Sequence, residues 1–184
     1  MKIYESLAKM AEQKNIFYLD TNQILSKYFI YLDRWIKLYN AVHEEKITVF
    51  ILSQCIKELE DKRNSDGDVS SLARLGLQIL EASFEEGGPY KVAECHSDVF
   101  FDAAIRAEAT IKSISQPVTV FTYDSGLTDD LIFLNYSPSC IGKYISVERM
   151  SGEDELKLIK KGNKGYTPSE IAQRIEKRAQ MNAT

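Results

Sequence analysis

Five stretches of the chain have the apolar pattern of β-strands. Three are nearly continuous runs of apolar and β-branched residues, at 16–19, 46–52 and 118–123. Such runs are typical of strands that are buried on both faces of a parallel sheet. Two weaker candidate strands cover 90–95 and 143–150.

Stretches with helical spacing of apolar residues separate these strands. A helix at 2–13 precedes the first strand, and a long apolar-rich stretch at 23–45, which we expect to break near Asp33, follows it. Further helices are predicted at 54–63, 69–84 and 98–114. Because strands alternate with helices, the pattern predicts an α/β fold: a three-layer α/β/α sandwich with a mostly parallel central sheet.

The chain after residue 150 has a different pattern. Residues 151–166 are polar and rich in Gly and Lys, which predicts a linker. Thr167, Pro168 and Glu170 then form start signals for a helix at 167–181. We therefore divide the chain into a domain at 1–150 and an appendage at 151–184, and expect the C-terminal helix to contact a second copy of the chain (a homo-oligomer) or another protein.

Composition narrows the class of protein. The net charge of −4 gives no global sign of nucleic-acid binding, although the segment after residue 150 is mildly basic. Cys55, Cys95 and Cys140 are scattered and odd in number, which favours reduced thiols and a cytoplasmic protein. We see no signal peptide, and no apolar run approaches the roughly 18 residues that a membrane-spanning helix needs, so we expect no membrane contact.

Acidic residues follow several of the predicted strands. Asp20 ends the first strand, Asp124 follows the strand at 118–123, and Glu58 lies early in the helix after the strand at 46–52. Asp98 and Asp102 open another helix and are four residues apart, so they share one face. Ligands of parallel α/β sheets bind at the carboxyl ends of the strands, where these acids are expected to meet.

Two interpretations of these acids remain open. Each has an ordinary explanation, since Asp20 can cap a helix, Asp98 suits a first helical turn, and Asp124 precedes a Ser-Gly turn. Clustered carboxylates would instead repel one another and raise each other's pKa, a cost that a cation removes. Oxygen ligands favour Mg²⁺ or Mn²⁺, and two scattered histidines are too few for a zinc site.

Four segments in order resemble the motifs of the PIN domain, a family of metal-dependent nucleases. The segment 17–25 (FYLDTNQIL) resembles the opening strand with its Asp-Thr-Asn sequence, and 50–63 (FILSQCIKELEDKR) resembles the second motif. The segments 102–109 (DAAIRAEA) and 118–127 (VTVFTYDSGL) resemble the third and fourth. The chain departs from a minimal PIN domain by its first helix and by the length of chain after the fourth motif.

The resemblance implies a set of functional residues. The acidic quartet that binds the metal and performs catalysis would be Asp20, Glu58, Asp102 and Asp124, with Asp98, Asp129 and Glu60 as second candidates. The polar residues that support the quartet would be Thr21, Asn22 and Thr122. We expect Lys62, Arg63 and Arg106, which neighbour the acids, to bind substrate phosphates.

The function implied is hydrolysis of RNA phosphodiester bonds, as an endoribonuclease that depends on Mg²⁺ or Mn²⁺. One alternative is a PIN-fold protein without catalytic activity that serves as a binding or scaffold module. A haloacid-dehalogenase-like phosphatase also begins with a strand that ends in Asp. That family has a second Asp two residues later, where this chain has Asn22.

Overall fold

The computed structural model describes residues 2–85, 87–94, 101–135 and 144–159, together with residue 173. The helices in this part of the chain are α1 (Ile3–Glu12), α2 (Thr21–Ile24), α3 (Phe29–Val42), α4 (Ser53–Arg63), α5 (Asp68–Glu85), α6 (Phe101–Ser113) and α7 (Ser125–Leu134). The strands are β1 (Ile16–Leu19), β2 (Val49–Leu52), β3 (Tyr90–Ala93), β4 (Val118–Phe121), β5 (Ile145–Met150) and β6 (Leu156–Leu158).

The strands form one sheet in the order β3-β2-β1-β4-β5-β6. The first five strands in this order are mutually parallel, and β6 pairs antiparallel with β5. The expected α/β fold with a mostly parallel central sheet is therefore confirmed. Strands β1 and β4 lie next to each other at its centre, in the register Leu19↔Phe121.

Helices cover both faces of the sheet. Phe17 and Phe121 point to the face covered by α1, α3 and α5, and their rings stack with centroids 6.0 Å apart. Tyr18 and Val120, one residue away on the same strands, belong to a second apolar cluster with α6 and α7. This alternation is the period of two expected of strands buried on both faces, and it creates the three layers.

The break in the long helical stretch does not lie at Asp33. Helix α2 ends at Ile24 and α3 begins at Phe29, so residues 25–28 form the break. Asp33 lies inside α3 and is buried, and its carboxylate pairs with Lys37 one turn later at 3.1 Å. This ion pair compensates the negative charge of Asp33, so the residue can lie inside the helix.

The predicted linker at 151–166 begins too early. Residues 156–158 form β6 and complete the edge of the sheet, with Leu156 and Ile159 buried. The turn between β5 and β6 is also fixed, since the Trp35 ring N–H donates to the carbonyl of Glu153 at 2.8 Å and the Ile3 N–H to the carbonyl of Asp154 at 3.0 Å. A strand of three residues with one exposed Lys gives too short an alternation to stand out from a polar segment.

Several predictions fall on other residues. Cys95, Cys140, His96, Asp98 and the helix at 167–181, apart from Gln173, lie outside the described residues. Cys55 is a free, buried thiol, in line with its expected structural role. None of the described helices is both long and apolar enough to cross a membrane.

Candidate active site

Two central strands place Asp20 and Thr122 side by side. Because Leu19 and Phe121 are partners in the register of β1 and β4, the residues that follow them, Asp20 and Thr122, leave the sheet side by side. The Asp20 N–H donates to the Phe121 carbonyl at 3.0 Å, which extends the pairing by one residue. Both side chains are buried.

Asp20 lies at the N-cap position of α2, yet its side chain does not cap the helix. Its Oδ2 instead accepts a hydrogen bond of 2.5 Å from the Thr122 hydroxyl. Only 1% of Asp20 is exposed. Capping therefore does not explain this carboxylate, which is held between two central strands.

The Thr122 hydroxyl has a fixed direction. Its oxygen accepts the backbone N–H of Asp124 at 2.9 Å. A backbone N–H can only donate, so the hydroxyl proton is left for Asp20. Thr122 thus makes Oδ2 of Asp20 a hydrogen-bond acceptor and ties the ends of β1 and β4 together.

Asp124 does cap a helix. It occupies the N-cap position of α7, and its Oδ1 accepts the Leu127 N–H at 2.7 Å. The bond fixes the orientation of a carboxylate that is only partly buried. The ordinary explanation of Asp124 is therefore correct, and it is compatible with a second role for the same side chain.

Glu58 and Asp102 come from helices on opposite sides of this point. Glu58 lies in the second turn of α4 and pairs with Lys62 at 3.3 Å. Asp102 lies in the first turn of α6, where partial desolvation of its carboxyl group raises its pKa. The charge of Asp124 raises this pKa further, and Arg106 opposes the increase.

The pKa of Asp20 shows that the four acids influence one another. The pKa is raised to about 7: burial raises it most, the hydrogen bond from Thr122 lowers it, and the charges of Asp102, Asp124 and Glu58 raise it, in that order. Three acids that are distant in sequence therefore act on one buried carboxyl group. This electrostatic coupling is the signature expected of carboxylates that gather around a cation.

The carboxylates do not form a preassembled metal cage. In the described part of the chain, no group of three or more His, Cys, Asp or Glu side chains is arranged to hold a metal ion. Mg²⁺ takes only one or two carboxylates directly and keeps several waters, so it does not require such a cage. The all-oxygen donor set and the mutual repulsion of the acids fit a hard divalent cation of this kind.

Comparison with known proteins adds one finding. No protein-family model matches the sequence, and no curated protein matches it. Among solved structures, the PIN domain endonuclease Utp24 is similar, with a TM-score of 0.51 and 17% sequence identity over 77% of this chain and 89% of that chain. The two chains share a fold. At this identity the likeness concerns the fold alone, and the chemistry rests on the residues of the site.

The second-candidate acids in the described part of the chain are Asp129 and Glu60, and two of the expected supporting residues are Thr21 and Asn22. Asp129 is buried within α7 and Glu60 is exposed on α4, so neither is among the acids that act on Asp20. Thr21 donates to the Cys55 sulfur at 3.2 Å, and Asn22 is exposed. Of the expected supporting residues, Thr122 is the one that binds a quartet side chain.

The cations that we expected to contact phosphate flank the acids. Lys62 pairs with Glu58, and Arg106 pairs with Asp130 across α6 and α7 at 2.9 Å. Arg63 is exposed at the end of α4. Two of these cations are thus positioned by acidic partners on the surface around the site.

Sequence reasoning missed two residues that shape the site. Asp130 holds Arg106, and its charge contributes to the raised pKa of Asp102. Arg149 lies over the Tyr123 ring, 4.9 Å from its centroid, and donates to the Tyr123 carbonyl at 3.3 Å, which braces the segment between Thr122 and Asp124. Both contacts join residues more than twenty positions apart, so no local sequence pattern predicts them.

Proposed function

We propose that the protein is a divalent-metal-dependent nuclease that hydrolyses RNA as an endoribonuclease. The observation that carries the proposal is the buried carboxyl group of Asp20 at the carboxyl end of a central strand, joined through Thr122 to Asp124 at the end of the neighbouring strand. Ligand sites of parallel α/β sheets lie at this position. The similarity to a PIN domain endonuclease supports the same class of reaction.

Each acid has a role in this proposal. Asp20 and Asp124, at the ends of the central strands, would bind Mg²⁺ or Mn²⁺ directly, and Glu58 and Asp102 would act through water. A bound ion would supply Lewis acidity, which favours loss of a proton from water and offsets charge on the phosphate. Thr122 keeps Oδ2 of Asp20 an acceptor, and the Leu127 N–H fixes Asp124.

Substrate binding would use the cations around the acids. Lys62, Arg63 and Arg106 would contact backbone phosphates, which contributes affinity without information on sequence. Because Lys62 and Arg106 are already held by acidic partners, a phosphate would compete with or extend existing ion pairs. We therefore expect weak sequence preference from these contacts.

Cleavage assays test the proposal. An end-labelled single-stranded RNA and a DNA of the same sequence are incubated with the full chain in Mn²⁺, Mg²⁺ or EDTA. Internal cleavage of RNA that requires the ion, and that is lost in Asp20→Asn and Asp124→Asn, is the expected result. Asp61→Asn is the matched control, because Asp61 is exposed on the same helix as Glu58.

Three outcomes would contradict the proposal. Cleavage that persists in EDTA would exclude the metal, and equal activity of the Asp20 variant would exclude the quartet. A well-folded chain that binds RNA without cleaving it in either ion would favour the scaffold alternative. Faster cleavage of DNA than of RNA would support a nuclease but show that its preferred substrate is DNA.

A further inference from the structure

A cavity of about 740 Å³ lies away from the acids, beside α1 and the amino ends of β1 and β4. It is bounded by α1, by the segments that lead into β1 and β4, and by β5 and β6. Phe121 points to the α1 face, so Thr122 next to it points to the α6 and α7 face, where Asp20 also lies. Binding pockets for small molecules typically have volumes of about 300–1,000 Å³.

The cavity contains a buried acid without a partner. Glu148 lies in β5, lines the cavity and is only 6% exposed. Its carboxyl group makes no hydrogen bond or ion pair with the described residues, and burial raises its pKa to about 8. A carboxyl group removed from water without a hydrogen bond is unfavourable, so this position is costly for the protein alone.

Asn15 lines the same cavity, but its amide is engaged within the fold. Asn15 donates from its amide nitrogen to the Thr119 hydroxyl at 2.8 Å, and that hydroxyl also bonds the Ser146 hydroxyl at 2.8 Å. These bonds fix the Asn15 amide, whose Oδ1 is buried and lacks a partner in the described part of the chain. The acceptors that the cavity offers are therefore the two oxygens of the Glu148 carboxylate, which suit a ligand with adjacent N–H donors.

The remaining lining combines apolar walls, neutral polar side chains and two cations. Met10, Pro117 and Leu158 supply apolar surface beside Glu148. Lys9 and Lys14 line the cavity and are exposed, so they mark its solvent side. A ligand that matches this arrangement has N–H donors at one end, an apolar part and negative charge at the other end.

We propose that this cavity binds a guanine nucleotide. The guanine edge presents adjacent N–H donors from its ring nitrogen and its exocyclic amine, which suit the two oxygens of Glu148 in its ionised form. The phosphate would lie toward Lys9 and Lys14, and the purine ring between the apolar walls. An adenine edge has one amine donor and matches the two acceptors less well.

Binding measurements with guanosine 5′-monophosphate (GMP) test the proposal, by calorimetry on the full chain in EDTA. We expect saturable binding that is about tenfold or more tighter than for adenosine 5′-monophosphate (AMP), because a lost donor pair reduces affinity by this order. Glu148→Gln should weaken GMP binding by a similar factor. Glu12→Gln is the control, since Glu12 is an exposed acid of α1 that does not line the cavity.

Variants of Lys9 and Lys14 test the contact with the phosphate separately from the contact with the base. Lys9→Met and Lys14→Met should weaken GMP binding while leaving binding of guanosine, which lacks the phosphate, unchanged. Lys157→Met is the matched control, because Lys157 is exposed on β6 and does not line the cavity. Asp20→Asn should retain full GMP affinity, which distinguishes the cavity from binding at the proposed active site.

Several results would overturn the proposal. They are absence of saturable GMP binding, equal affinity for GMP and AMP, or unchanged affinity in a folded Glu148→Gln variant. Loss of GMP binding in Asp20→Asn alone would assign the nucleotide to the active site and also reject the cavity. RNA cleavage by Glu148→Gln is expected to remain, so the failure of this proposal and that of the nuclease proposal have different readouts.

Discussion

At the scale of single residues, the site depends on which way one hydroxyl proton points. The Thr122 oxygen accepts the Asp124 N–H and its proton goes to Asp20, so one side chain orders two acids. Asp20 remains a buried acid at unfavourable electrostatic potential, with a pKa near 7 in the absence of metal. Substitutions of these two residues therefore separate stability from activity.

The first prediction concerns Asp20→Asn in EDTA. The folded-state pKa of Asp20 lies above its ordinary value of 3.8, so ionisation costs the wild-type protein stability as the pH rises from about 4 through 7. Asparagine keeps an oxygen for the Thr122 hydroxyl and avoids this cost. The variant should be more stable than wild type at pH 8, by up to a few (~4) kcal/mol, and nearly equal at pH 4.

Denaturant unfolding at the two pH values measures this difference. In Mg²⁺ or Mn²⁺, RNA cleavage by the same variant should be lost, since the metal would lose a ligand. A variant that is less stable than wild type at pH 8 would show that Asp20 serves the fold rather than a cation.

The second prediction compares Thr122→Val with Thr122→Ser. Valine has nearly the same shape but leaves the Asp124 N–H without its acceptor and Asp20 without its donor, which should cost about 1–3 kcal/mol of unfolding free energy. Serine restores the hydroxyl. We expect cleavage to fall strongly in the valine variant and to return in the serine variant, and equal activity of the two would exclude the positioning role.

At the scale of elements, the sequence pattern was informative where burial is uniform. Strands β1, β2 and β4 are buried on both faces, so their apolar runs are nearly continuous and can be recognised in the sequence. The break at 25–28 and strand β6 cannot be recognised in this way, because both depend on tertiary contacts. Asp33 stays inside α3 because it forms an ion pair with Lys37 one turn later. Strand β6 forms because it pairs with the edge of β5.

The candidate site divides in the same way. Acids placed directly after strands could be predicted, since the topology of a parallel sheet brings strand ends to one edge. The roles of Asp130 and Arg149 could not, because their contacts arise from the packing of separate elements. Glu148 gave no signal either, since an acid in a strand usually faces solvent and only the fold shows that it is buried.

The third prediction concerns the edge strand. A chain that ends at residue 150 loses β6, the buried Leu156 and the turn that contacts Trp35, whereas one that ends at 159 keeps them. The shorter chain should melt at a clearly lower temperature, and the longer one near the full chain. Leu156→Ala should cost about 2–5 kcal/mol, and the exposed Lys157→Ala about 0.5 kcal/mol or less.

Equal melting of the chains ending at 150 and 159 would show that β6 adds little to the fold. A marked loss on removal of 160–184 alone would instead show that the stabilising contacts lie beyond β6.

At the scale of the whole molecule, the two ends of the sheet carry different chemistry. The acids lie toward the carboxyl ends of the central strands, with Glu58 on α4 and Asp102 on α6, whereas the cavity with Glu148 lies beside the segments that lead into β1 and β4. Helix α1 forms one wall of that cavity. The two proposed sites can thus be altered independently.

The fourth prediction concerns the C-terminal segment and RNA. Residues 160–184 include six basic residues, Lys160, Lys161, Lys164, Arg174, Lys177 and Arg178. If they contact phosphate, removing them should weaken RNA binding and reduce the dependence of log K on log salt by about 0.7 for each contact with single-stranded RNA. The comparison uses the full chain and a chain ending at 159, which keeps β6, both carrying Asp20→Asn so that RNA stays intact.

A full chain with Lys160, Lys161 and Lys164 replaced by Gln separates charge from length. If phosphate contacts explain the difference, this variant should fall between the two chains in both affinity and salt dependence. Equal affinities and slopes for all three would exclude the contact with RNA. The expectation would then be docking on a second copy or another protein. Ile171 and Ile175 are four residues apart, so they would share one face of the predicted helix at 167–181, and a short helix gains stability chiefly from a partner. Sedimentation of the full and truncated chains distinguishes these cases, since a homo-oligomer formed through this segment becomes a monomer when residues 160–184 are removed.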